Sequence, residues 1–91
     1  MEIQTTATFD KLFAGLPKKI QIKAAKKTHL FKENPFHPSL RTEKLNPKGY
    51  DVWSFRIDLY YRIVFKFIDR GLVEFRFIGH HNDIYDYNIF R

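Results

Sequence analysis

The chain has 91 residues, 44% of them hydrophobic and 18% aromatic, with a net charge of +6 and no cysteine. This size fits one small domain spanning 1–91 with no room for a second core, and the aromatic content excludes a disordered chain. The missing cysteine excludes disulfides, Cys-ligated zinc and iron–sulfur clusters and suits a cytoplasmic protein, while no apolar run approaches the roughly 20 residues of a membrane span.

The opening residues carry an early acid and no apolar h-region, so they do not read as a signal peptide. Residues 1–7, with Ile3, Thr5 and Thr6, read as a first strand. Thr8 is placed to cap a short helix over 9–14 that Gly15 ends. Pro17 then suits the first turn of a longer helix over 17–33. Leu16, Ile20, Ala24 and Phe31 fall near one face of it, and Lys18, Lys19, Lys23, Lys26, Lys27 and Lys32 occupy much of the rest. Asn34-Pro35 stops this helix, and His37-Pro38-Ser39-Leu40 forms a connector. A short strand at 41–45 precedes the turn signal Asn46-Pro47-Lys48-Gly49.

Three strands follow, over 50–58, 60–68 and 72–78, the last two joined at Asp69-Arg70-Gly71. Their alternation sets the architecture. Trp53, Phe55, Ile57, Tyr61, Ile63, Phe65, Phe67, Val73, Phe75 and Phe77 are expected on one dry face. Ser54, Arg56, Asp58, Arg62, Val64, Lys66, Glu74, Arg76 and Ile78 are expected on the other. The reading is an α+β domain of order β-α-α-β-β-β-β, its helices packed on one face of an antiparallel sheet.

The open face is therefore polar and cationic. Arg62 has a fork of donors that matches a phosphate, or else it forms a cross-strand ion pair with Glu74 or Asp58. Arg56, Lys66 and Arg76 join it, so cations outnumber acids there and the face suits a nucleic-acid backbone. His80 and His81 follow Gly79, with Asp83 and Tyr85 just beyond. Histidine suits proton transfer near neutral pH, and a tyrosine stacks on a base or bonds a phosphate. The plainer reading is a polar turn with an aromatic anchor; it is preferred for His80 and stands level with the functional one for His81. His37, held between prolines, reads as structural before catalytic, and His29 as a favourable charge near a helix end. Two adjacent histidines and one aspartate fall short of a metal-ligand set, so neither metal nor other cofactor is expected.

At these residues the chain resembles the RelE/ParE superfamily of toxins from bacterial type II toxin–antitoxin systems. Asn34-Pro35-Phe36-His37-Pro38-Ser39-Leu40 with Leu45 is similar to the family's connector, and Tyr61-Arg62-Ile63-Val64-Phe65 to its central strand. Ile78-Gly79-His80-His81-Asn82-Asp83-Ile84-Tyr85 is similar to its closing segment. The resemblance implies a helical hairpin on a curved antiparallel sheet and a cognate antitoxin on a separate chain. In the RelE-like branch it implies metal-independent cleavage of mRNA in the ribosome, with Arg62 on the scissile phosphate, His81 as acid or base and Tyr85 as the closing aromatic. His37, Arg56, Arg76, Asp83 and His80 are supporting candidates, and Lys18, Lys19, Lys23, Lys26, Lys27 and Lys66 are expected to contact RNA. The family's lysine pair and mid-sheet second histidine have no clear equivalent, with Lys44 and Lys48 only approximate. The alternatives are a ParE-like inhibitor of DNA gyrase without nuclease chemistry, and a nucleic-acid-binding domain that does not cut.

Overall fold

The computed structural model describes residues 1–45 and 51–84; the expected turn at 46–49 and Tyr85 lie outside them. The elements are β1 (Glu2–Thr5), α1 (Ala7–Ala14), α2 (Lys18–Glu33), β2 (Glu43–Lys44), β3 (Trp53–Arg56), β4 (Tyr61–Asp69), β5 (Leu72–His80) and α3 (His81–Ile84), with a 3-10 turn over Pro38–Leu40. They form one sheet of order β1-β5-β4-β3-β2. The expected α+β class and helical hairpin are present. The strands expected at 41–45 and 50–58 are shorter, at Glu43–Lys44 and Trp53–Arg56.

The sheet is mixed rather than wholly antiparallel. The meander β3–β4–β5 is antiparallel, but β1 pairs with β5 in parallel, Ile3 opposite Val73. β1 joins the free edge of β5 at the hairpin end, where the Glu2 N–H donates to the Gly71 carbonyl at 2.6 Å. Gly71 has φ 71°, the left-handed conformation that closes this hairpin. Running parallel, β1 delivers the chain into α1 directly against β5.

The cap of α1 is Thr6, not Thr8. The Thr6 hydroxyl accepts from the Phe9 N–H at 3.1 Å and donates to the Arg76 carbonyl at 3.2 Å. One hydroxyl thus starts the helix and ties it to β5, a bond that Thr8 is not placed to make. α2 runs from just after Pro17 to Asn34, whose N–H closes the last turn on the Leu30 carbonyl. Its Phe31 is fully buried, with ring centroids 4.8 Å from Phe55, 5.0 Å from Phe65 and 5.5 Å from Phe75. Both helices therefore cover one face of the sheet. Among the described residues no helix is long and apolar enough to cross a membrane.

The register of β4 on β5 changes once in mid-strand. Phe65 faces Phe75, but Val64 faces Phe77, so Arg76 is the extra residue of a β-bulge. Beyond the bulge every side chain of β5 changes sides. Ile78 therefore enters the main core, and Phe77 crosses to the face expected to be open, the reverse of the sequence reading. There Phe77 packs on a second cluster of Leu45, Val52, Val64 and Ile84. Gly79 permits this packing: a Cβ on it would lie 3.1 Å from Ile84 Cγ2.

Thr6→Ala is expected to lower stability by about 1–2 kcal/mol, because it removes both a helix cap and the bulge's partner. Thr8→Ala, at an exposed position, should stay within about 0.5 kcal/mol of the parent. Urea unfolding of the two variants checks this, and equal effects would contradict the assigned cap.

Candidate functional site

The bulge also decides what surrounds Arg62. On one side Arg62 faces Arg56 of β3, and on the other it faces Gly79 of β5. Two arginines directly opposite on the same sheet face repel one another. The carboxylates that would relieve them are engaged elsewhere. Glu74 takes Gln4 Nε2 at 2.8 Å and Arg76 Nε at 2.9 Å. Asp58 takes Lys23 Nζ at 3.3 Å and the Tyr60 and Tyr61 N–H groups at 2.8 and 2.9 Å. Among the described residues Arg62 reaches only the Asp58 carbonyl, at 3.5 Å. Among the described residues neither Arg56 nor Arg62 forms an ion pair, so the cross-strand pairing open in the sequence is not made.

Asp58 organises the β3–β4 turn. Burial pulls its carboxyl upward, but the Tyr60 and Tyr61 amides and the Lys23 ammonium together outweigh that and hold it below the usual carboxylate range. The two amides make an Asx-type turn that fixes the entry to β4.

The paired histidines have different surroundings. The register places His80 opposite Tyr61, on the helix side of the sheet and not beside Arg62. His80 Nδ1 accepts from the Asn82 N–H at 3.1 Å, so its proton lies on Nε2 and its ring caps the short α3. His81 is held by its own N–H, which donates to the Tyr60 carbonyl at 2.7 Å. This continues the ladder one step past Tyr61 and His80, and the His81 ring stacks on that of His80. His81 Nδ1 is buried and has no hydrogen-bond partner among the described residues. An unpaired buried ring nitrogen is costly. Asp83 does not bond it. Asp83 sits two residues on in a helical turn, where i and i+2 point apart, and it is exposed beside His80.

The remaining candidates separate from this site. His37 Nδ1 accepts from the Ser39 N–H at 3.1 Å and caps the 3-10 turn, which accounts for it structurally. Arg76 lies in the bulge on Glu74. Lys18, Lys19 and Lys26 are exposed on α2 with the less exposed Lys27, all on the helix side, and Lys23 is tied to Asp58. Lys66, opposite Glu74 in β4, shares the face of Arg62, as does Glu74 with its partner Arg76. The two basic surfaces thus lie on opposite sides of the sheet. Among the described residues no group of three or more His, Asp or Glu side chains is arranged to hold a metal ion.

Tyr60, expected at the start of the strand over 60–68, instead lies in the turn before β4. The Tyr60 ring stacks on His80 with centroids 5.7 Å apart at 16°, and His80 stacks on His81 at 4.9 Å and 25°. The signal for it was present: an aspartate two residues ahead of Tyr60-Tyr61 is an Asx-turn pattern, and it ends the preceding strand before these tyrosines.

No protein-family model matches the sequence, and no curated protein matches it. Solved structures do. A YoeB/ParE toxin from Agrobacterium tumefaciens superposes with a TM-score of 0.74 at 20% identity, over 89% of this chain and 99% of that one. YafQ from E. coli gives 0.75 at 16% identity, over 92% and 97%. The RelB–RelE antitoxin–toxin complex from Methanococcus jannaschii gives 0.71 at 23% identity, over 92% and 96%. The chain has the RelE/ParE toxin fold over nearly its whole length.

Because ionised Asp58 is favoured in the fold, its contribution is present above the unfolded carboxyl pKa of about 3.9 and is lost as pH falls through its lower folded value. Asp58→Ala should therefore cost about 1–2 kcal/mol at pH 7. The gap to the parent should narrow below about pH 4, and thermal unfolding across acidic pH reads it directly. A gap independent of pH would contradict the assignment.

Proposed function

We propose that this chain is the toxin of a type II toxin–antitoxin pair and acts as a ribosome-dependent mRNA endoribonuclease. The observation that carries this reading is the Arg56–Arg62 pair, directly opposed on the outer sheet face and, among the described residues, without a carboxylate partner; at the same end of the sheet the His81 N–H bonds the Tyr60 carbonyl, and its buried Nδ1 has no partner among the described residues. Two such cations gain from an anion between them, and Arg matches phosphate geometry. The fold supports the toxin assignment, and the Methanococcus RelE is described in complex with a RelB antitoxin. By analogy this chain is neutralised by an antitoxin on a separate chain.

The chemistry fits these groups. The ribose 2′-hydroxyl of the substrate attacks the adjacent phosphorus and expels the 5′ oxygen, leaving a 2′,3′-cyclic phosphate and a 5′-hydroxyl. The nucleophile comes from the RNA itself. The protein must stabilise charge on the phosphorane and move protons. Arg62 takes the first task with Arg56 beside it, and His81 takes the second. Tyr85 is assigned to orient the base or phosphate. Lys66 extends the cationic path along β4, and the lysines of α2 supply a separate surface for ribosomal RNA.

Arg62→Ala and His81→Ala are each expected to lower the rate of message cleavage in a purified translation system by ~10²–10⁴. Arg56→Ala should cost less, because Arg62 remains. Cell-growth arrest should weaken in parallel. Full toxicity in both Arg62→Ala and His81→Ala would overturn the site assignment, and supercoiling inhibition with intact message would favour a gyrase inhibitor.

A further inference from the structure

We infer that Tyr60, backed by His80, is a stacking platform for a nucleobase of single-stranded RNA next to the Arg62 phosphate site; this rests on the RNA-cleaving reading above. Turn residues are usually small and polar, yet here Leu59 is 72% exposed and Tyr60 57% exposed. The Tyr60 ring is not left loose. It lies nearly parallel to His80, and the edge of Tyr61 meets the same imidazole at 5.7 Å and 77°.

Three backbone anchors fix the stack. Asp58 Oδ1 holds the Tyr60 N–H, the Tyr60 carbonyl holds the His81 N–H, and His80 Nδ1 holds the Asn82 N–H. One side of the ring is therefore supported by imidazole while more than half of the residue faces solvent. A ring exposed and preorganised in this way loses little entropy on receiving a flat ligand. Arg62 lies two residues further along the chain, its guanidinium turned back to the carbonyl of Asp58 at 3.5 Å, the residue whose carboxylate holds the Tyr60 N–H, and Arg56 lies across from it. Cations beside an exposed aromatic ring are how proteins bind single strands, the cations taking the backbone and the ring taking a base. The neighbouring cations favour this ligand over an apolar protein segment.

The test uses a short single-stranded RNA, 2′-O-methylated throughout so that it cannot be cut and carrying one 2-aminopurine. Binding to the parent protein should quench the fluorophore by stacking. Tyr60→Phe should retain quenching and affinity. Tyr60→Leu should lose the quenching and bind roughly 5- to 100-fold more weakly. Both variants keep the three backbone anchors, and circular dichroism verifies their folding. Unchanged affinity and quenching in Tyr60→Leu, with binding still lost in Arg62→Ala, would overturn the platform alone. Absence of RNA binding by the parent protein, or indifference to Arg62→Ala, would overturn the phosphate site and the platform together.

Discussion

The extra residue at Arg76 is the constraint on which the site depends. Without it, Arg62 would face Ile78, and Gly79 would sit beside Tyr61 on the helix side. With it, Gly79 stands next to Arg62, His80 turns to the helices, and His81 continues the ladder at Tyr60. The same step sends Phe77 outward to the cluster with Val64, Val52, Leu45 and Ile84. The central strand is therefore covered on both faces: Ile63 and Phe65 under the helices, Val64 under α3. The Thr6 hydroxyl, bonded to the Arg76 carbonyl, links the bulge to the start of the helical hairpin.

The charges follow a matching logic. Cations outnumber acids on the outer face, and the two acids nearest Arg62 are held by other partners. Glu74 holds Gln4 and Arg76, and Asp58 holds a turn and Lys23 of α2. An exposed ion pair such as Lys23–Asp58 contributes little by itself; its larger effect is to remove a carboxylate from the reach of Arg62. The result is a like-charged pair that costs stability in the free protein and favours an anion. Such local cost at a candidate site, offset by a well-packed core around Phe31, is an expected compromise.

Much of this fold was legible from residue order. Alternation gave the faces of β3 and β4, and Pro17 with Asn34-Pro35 framed α2 almost to the residue. The bulge was not legible, since Arg76 reads as an outward residue in either register and nothing local marks the slip. Thr6 and Thr8 are equivalent as caps in sequence; a bond from the former to a carbonyl 70 residues away decides between them. The parallel pairing of β1 was hidden for the same reason, being set by a distant hairpin. At the site, the type of residue was readable and the arrangement was not. Arg56 and Arg62 were both picked out, but their direct opposition needed the register. His80 and His81 are neighbours in sequence whose ring nitrogens have different surroundings, that of His80 bonded to Asn82 and that of His81 without a partner among the described residues.

The account is tested most directly by primer extension on a reporter message in a purified translation system, with ribosomes present or omitted, after adding this protein. It predicts cuts on the translated message, absent without ribosomes and absent with Arg62→Ala. Intact message in the presence of ribosomes, from a folded protein that still arrests growth, would contradict it.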